Sequence, residues 1–438
     1  MLHPLLKLVE LQKQHQAIGI YSACTANELV LQACMERAKE TNSVLLIEST
    51  SNQVDQYGGY TGMKPQDFIH FVEKLANQTN LPMEQIILGG DHLGPLTFTN
   101  LAEDKAMAEA SELVRQYVLA GYTKIHIDTS MKVFNDDPNT RLTDEIIAHR
   151  GAMLVKVAEE AFAELVKTKP DATHPIYIVG SEVPIPGGSQ SAVEDSLEVT
   201  KVIDFKKTVA TFKQAFVDQN ITEAFKYVIA VVVQPGIEEK DSGCVEYDRE
   251  KAHDLTQAIN EYPNLIFEGH STDYQTKIKL KELVEDGIGI LKVGPGLTFA
   301  MREGLFALAS IEEELFKNTN VQTSHFKEVL EKAMLENPKY WQKHYHGDKK
   351  ALALKRKYSF SDRARYYMPL KEVQAAQALL FKNLANGVPL NLLSQYMPIQ
   401  YTLVREKHLV NKPEELVKSR IKNTIDEYLY ATNQQLIK

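Results

Sequence analysis

Eight short apolar runs recur along the chain, and each stops at a polar or glycine-rich cluster. They occupy residues 17–21, 44–47, 86–88, 125–127, 176–179, 228–233, 265–267 and 288–291. The runs are rich in β-formers, turn residues bound them, and the gaps between them are long enough for helices, so the pattern predicts eight strand–helix units. Unbroken apolar strands need cover on both faces, which points to a closed parallel (β/α)8 barrel, a TIM barrel, ringed by helices. Helices are expected over residues 27–39, 65–77, 100–120, 143–167, 202–219, 249–261, 276–285 and 299–316. From about residue 318 the strand pattern ceases, and the remainder reads as helices broken by Pro338, Pro369, Pro389, Pro398 and Pro413, ending in an amphipathic helix over 414–429. The organisation expected is a barrel over 1–317 and a C-terminal helical extension over 318–438 that packs on it.

Composition narrows the classes of function. The net charge of −9, from 49 basic and 58 acidic side chains, argues against a nucleic-acid binder but leaves room for a local basic pocket. Cys24, Cys34 and Cys244 form no C-x-x-C pair, and their odd number and wide spacing fit a reducing, cytoplasmic setting. Residues 1–16 are leucine-rich but interrupted by Lys7, Glu10 and Lys13, which predicts an amphipathic helix rather than a signal peptide. No run reaches the roughly 18 apolar residues of a membrane helix, so a membrane is not an expected partner. A homo-oligomer remains open.

A barrel of this kind keeps its chemistry at the carboxyl ends of its strands. The residues just past each run are therefore the candidates: Glu48 with Asn52 and Gln53, Asp91-His92, Asp128, Glu182, Gln234, Glu268 with His270, Ser271 and Thr272, and Gly294. His92, Glu182 and His270 are expected to converge across the barrel mouth. Two imidazoles and a carboxylate with an open position form a catalytic divalent-metal set, suited to Zn, Mn or Co. Such an ion polarises a ketone, while Asp91, Asp128 and Glu182 would move protons. Plainer roles exist for the same residues: a turn pair at Asp91-His92, a lysine partner for Glu182, a structural hydrogen bond for His270, and polar strand ends at Asp128 and Glu48. For an anion, the candidates are Ser271, Thr272 and the amides from Gly294 to Thr298, beside a helix start. In the extension, Arg363 and Arg365 lie among aromatics and could fork onto a phosphate, or form ordinary ion pairs. No Walker loop is present to support a kinase.

Long motifs then resemble a known family. Residues 47–63, with Thr50-Ser51-Asn52-Gln53-Val54 and Gly58-Gly59-Tyr60-Thr61-Gly62, are similar to the GatZ/KbaZ signature. So are Leu88 to Pro95, Lys124 to Asp128, Gly180 to Pro184, Gly269 to Thr276, Leu291 to Pro295, Tyr358 to Tyr367 and Ser394-Gln395-Tyr396. The resemblance spans nearly the whole chain. It implies a TIM barrel with added helices and a role in galactitol or N-acetylgalactosamine breakdown through tagatose phosphates. Members are described as the non-catalytic subunit of class II tagatose-1,6-bisphosphate aldolase, some were labelled tagatose-6-phosphate kinases, and some relatives epimerise a ketose or ketose 6-phosphate at carbon 4. A sugar phosphate and a class II aldolase subunit are thus the implied partners. Class II aldolases more widely carry an Asp-His pair, a later glutamate and two further metal histidines. Asp91-His92, Glu182 and His270 resemble four of these residues, and Gln234 stands where the remaining histidine is expected.

Overall fold

The eight apolar runs become eight strands in the computed structural model, which describes residues 3–181 and 197–437. They are β1 (Ile20–Cys24), β2 (Leu45–Thr50), β3 (Ile86–Leu93), β4 (Lys124–Ile127), β5 (Ile176–Val179) and β6 (Val228–Val233), then β9 (Ile266–Gly269) and β10 (Ile288–Val293). A two-stranded antiparallel hairpin, β7 (Glu238–Glu239) and β8 (Cys244–Val245), stands between β6 and β9. The eight long strands close into one parallel barrel in chain order, β10 pairing with β1 through Ile20–Ile290 to Ala23–Val293. Among the described residues, no helix is long and apolar enough to cross a membrane.

Three boundaries differ from the expected pattern for physical reasons. β3 runs on to Leu93, past the apolar run, because its glycines fit the barrel: a Cβ at Gly89 would lie 2.6 Å from Glu48 Cγ. The helix after β10 starts at Pro295 rather than 299, since Pro is well suited to a first helical position. Residues 17–19 precede β1, and two of them hold the chain's end instead: Gly19 N–H donates to Thr432 O, and Asn433 donates to Ala17 O.

The barrel bore has two layers. At its amino-terminal end, Ile20, Leu46, Ile87, Ile176, Ile178, Ala230, Val232, Ile266 and Ile290 form an apolar fill. The helix Pro4–Lys13 plugs this end with Leu5, Leu8, Val9 and Leu11. At the carboxyl end the bore is polar. Lys124 of β4 reaches across to Glu268 of β9 (2.7 Å), a strand that is not its neighbour, so both side chains must point inward.

The extension is helical, with its last helix, Pro413–Thr432, packed on Glu28–Glu40, Lys277–Glu285 and Pro295–Phe316. It also touches β1, and thus covers the seam between the first and last barrel strands. Gly304 lets Val417 approach, Tyr428 packs on Tyr21 with ring centroids 5.9 Å apart, and Tyr428 Oη donates to Thr272 O. Earlier in the extension, residues 359–366 dock on the rim. Ser359 donates to Asp241 in the β7–β8 turn, Tyr274 stacks on Phe360 at 4.1 Å, and Thr298 donates to Asp362.

Candidate metal centre and sugar cleft

The upper bore is an ion-pair lattice of fully buried groups. Lys124 Nζ lies 2.7 and 2.8 Å from the two Glu48 oxygens and 2.7 Å from Glu268 Oε2. Lys292 Nζ lies 2.8 Å from Glu48 Oε2 and 2.6 Å from Asp91 Oδ1, and the Ser22 hydroxyl donates to Glu48. Burial works against the Lys292 ammonium, but Asp91, Cys24, Glu48 and Glu268 around it raise its pKa well above the usual lysine range.

Three imidazoles stand above this lattice: His92 at the end of β3, His126 inside β4, and His270 just after β9. Their ring centroids form a triangle with every side 5.1 Å. Each ring has its own carboxylate. His92 Nδ1 is 2.7 Å from Asp128, His126 Nδ1 is 2.8 Å from Asp91, and His270 Nε2 is 3.0 Å from Glu268. Carboxylate-oriented imidazoles are the usual outer-shell arrangement of metal-binding histidines. His126 Nε2 is buried with no hydrogen-bond partner among the described residues, as a ligand nitrogen awaiting a cation would be. The ligand atoms that lie within 4.8 Å of one another are those of Asp91, His126, Glu268 and His270, a set that does not include His92. Asp91 and Glu268 are already held by lysines, so the imidazoles are the better donors and the carboxylates the better orienters. His92 adopts a left-handed backbone (φ 50°), as does Ser271 (φ 54°), a strain that gathers at functional strand ends.

The charge states differ among the rings: burial works against a charged His92, but Asp91 and Asp128 outweigh it and raise its pKa. Burial lowers the His270 pKa to about 3 despite Glu268, leaving a neutral ring with lone-pair character. Burial would raise the carboxyl of Asp91, but His92, Lys292 and His126 hold it well below the usual range. Burial likewise opposes ionisation of Asp128, yet the bond and charge of His92 bring it to about 2.

A cleft opens over the triangle, with Asp91, His92, His270 and Lys292 in its wall. Asn52, Gln53 and Tyr60 follow β2, Glu239 comes from the hairpin, Ser271 and Asp273 follow β9, and Gly294 starts the last barrel helix. The extension contributes Arg365 and Tyr366. Arg363 lines an adjoining hollow with Lys339 and His344, and Asn52, Tyr60 and Tyr366 border both spaces.

The structure thus brings Asp91, His92, His270, Asn52, Gln53, Ser271, Gly294 and Arg365 to one cleft, with Arg363 next door. It places others elsewhere. Glu48 is buried beneath the cleft as the lysine partner. Both Asp128 oxygens are engaged, Oδ2 with His92 and Oδ1 with Ser130, so it orients a ring rather than shuttling hydroxyl protons. Gln234 Oε1 accepts from the amides of Gly236 and Ile237, which makes it a turn cap and not a wall residue or stand-in ligand. The Thr272 hydroxyl donates to Lys292 O and pairs with Tyr428, so it joins strand to extension rather than holding an anion. The expected anion seat at Gly294 and Gly296 is filled by Asp273, whose Oδ1 accepts from both amides at 3.0 and 2.6 Å. Glu182 lies outside the described residues. His126, Lys292, Tyr60, Glu239, Asp273 and Tyr366 were not among the expected site residues. For His126 the available signal was alternation: Lys124, His126 and Asp128 are polar at every second position between Ile125 and Ile127.

Comparison with known proteins agrees over the full length. The family model described as D-tagatose-1,6-bisphosphate aldolase subunit GatZ/KbaZ-like matches residues 5–433. The crystal structure of a probable tagatose 6 phosphate kinase from Sinorhizobium meliloti 1021 is 40% identical, with 94% of this chain and 100% of that chain covered and a TM-score of 0.85. The YdjI aldolase from Escherichia coli K12 is 11% identical over 86% of this chain and 97% of its own, with a TM-score of 0.41. Fructose-bisphosphate aldolase from Campylobacter jejuni is 14% identical over 87% and 91%, with a TM-score of 0.42. Likeness at those last two levels carries no argument about chemistry.

Proposed function

The chain belongs to the GatZ/KbaZ-like family, and from that premise we propose that it carries its own metal-dependent site for interconverting ketose phosphates at carbon 4, tagatose 6-phosphate and fructose 6-phosphate being the expected pair. The observation that carries the reading is the triangle of His92, His126 and His270, each ring backed by a carboxylate. A subunit that only stabilised a partner would have no use for it. His126 and His270, whose donor atoms converge, would hold a divalent cation with His92 beside them, and Zn, Mn and Co are all compatible with such donors. When bound, such a cation supplies Lewis-acid polarisation of a ketone oxygen.

The residues of the chain supply the rest. Asp91 lines the cleft, and with Oδ1 engaged by Lys292 and His126 its Oδ2 is the oxygen that would accept the C4 hydroxyl proton. As that proton leaves, the C4 oxygen becomes a carbonyl, the C3–C4 bond breaks, and its electron pair passes toward C2. The aldehyde half turns over, the same pair rejoins its other face, and Asp91 returns the proton. Asp128 and Glu268 act through His92 and His270 as positioning residues. Arg365, with Arg363 behind it, faces the phosphate end, and Asn52 and Gln53 meet sugar hydroxyls. The three free cysteines accord with a reducing, cytoplasmic setting.

The test is incubation of the purified chain alone with tagatose 6-phosphate and Mn²⁺ or Zn²⁺. Fructose 6-phosphate is expected to appear, and to be lost together with bound metal in His126→Ala and His270→Ala. The second reading, an accessory subunit of a class II aldolase, is favoured by the family description. It prevails if the chain alone gives no turnover while a co-expressed class II aldolase gains activity and stability.

A further inference from the structure

Acidic and basic side chains share the cleft, Asp273 and Glu239 from the barrel rim and Arg365 from the extension, with the Arg365 charge felt by both carboxyls. Asp273 occupies the amides of Gly294 and Gly296 at the start of the helix Pro295–Phe316, the place where a barrel can seat a phosphate. Gly296 keeps that approach open, since a Cβ there would sit 3.0 Å from Asp273 Oδ1. Beside it Glu239, only 2% exposed, lines the same wall, and its Oε2 has no hydrogen-bond partner among the described residues. A buried acceptor without a donor calls for a ligand that brings one. A sugar hydroxyl does so, whereas a phosphate dianion offers only acceptors and brings two further negative charges. In the adjoining hollow Arg363, 5% exposed, has Nε unpartnered among the described residues and lies with Lys339, His344 and Asp55.

We infer that the cleft selects a ketose with at most one phosphate: its hydroxyl-bearing end meets Glu239 and Asp273, its phosphate meets Arg363 and Arg365, and a bisphosphate is rejected by charge. The inference rests on the ketose-phosphate reading and narrows it. Asp273 acts as a built-in substitute for the second phosphate, holding the amides that phosphate would need. Burial and the charge of Glu239 together raise the Asp273 carboxyl to about 7, the mark of two carboxylates already crowded at this end.

Calorimetric titration of the full chain with tagatose 6-phosphate, tagatose 1,6-bisphosphate and orthophosphate tests it. The unmodified chain is expected to prefer the monophosphate by at least about tenfold, because like-charge juxtaposition costs several kcal/mol. Asp273→Ser vacates the seat, so orthophosphate affinity should rise about tenfold and the preference should vanish. Asp273→Asn keeps the side chain's shape and should narrow the preference by removing charge alone. Equal affinity of the unmodified chain for both sugars overturns the inference, as does an Asp273→Ser variant with unchanged orthophosphate binding. If neither sugar binds any form, the ketose reading falls, and a gain of orthophosphate affinity in Asp273→Ser still upholds the role of Asp273.

Discussion

The two layers of the barrel bore are equally dry and built from the same strands, yet they are filled by opposite means. Near the plug helix the bore holds Ile20, Leu46, Ile87, Ile178 and Ile290. One strand-rung later it holds Ser22, Glu48, Lys124, Glu268 and Lys292, all buried. Apolar fill is non-directional, and its loss is graded by volume. Ionic fill is different, because each group is compensated only by its partners, and removing one strands the others away from water. The lower layer therefore holds the barrel together, and the upper layer holds side chains at fixed positions under the cleft.

Substitutions in the two layers should separate these roles. Lys124→Met leaves Glu48 and Glu268 short of a counter-charge, and denaturant unfolding should show a loss of about 3–5 kcal/mol, with metal retention and turnover lost as well. Leu46→Ala should cost about 2–5 kcal/mol by cavity formation, while turnover below its melting temperature stays near that of the unmodified chain. Equal damage to turnover from both would erase the distinction. Asp128→Asn touches neither fill but frees the His92 ring, so metal affinity should fall about 10–100-fold, and unfolding free energy should fall too because the buried His92 loses its counter-charge.

A further effect concerns pH. His3, at the foot of the plug helix, is lowered by burial to about 4, and His270 above is lowered by burial to about 3. Both are neutral when folded, whereas the unfolded chain takes up their protons near 6.5. Their contribution is thus complete above about 6.5 and lost as pH falls, at about 1.4 kcal/mol per unit for each group. Denaturant midpoints of chelator-treated protein between pH 7 and 5 should show this slope, and His3→Leu should flatten it by one group.

The barrel was legible because its outward strand faces are apolar and its gaps are helix-length. The cleft was partly legible, since Asp91, His92 and His270 stand at strand ends, where polar residues declare themselves. His126 was hidden inside the run Ile125-His126-Ile127, where its neighbours supply the periodic signal and it reads as an interruption. Glu239 was hidden for another reason: nothing local says that the β7–β8 hairpin folds over the mouth. Gln234 misled because equivalence was assigned by strand order, while the third imidazole comes from β4, two strands away in the barrel. The role of Asp273 depends on amides 21 and 23 residues downstream, a separation that periodicity does not read.

The helix Pro413–Thr432 covers the join between the first and last strands, and Gln434 binds the backbone of both Tyr21 and Val44. A nascent chain leaving the ribosome therefore holds all eight strands well before it holds the piece that seals them. Removal of the last two dozen residues should leave the β1–β10 pairing uncovered, and that seam should become the barrel's most protease-sensitive place.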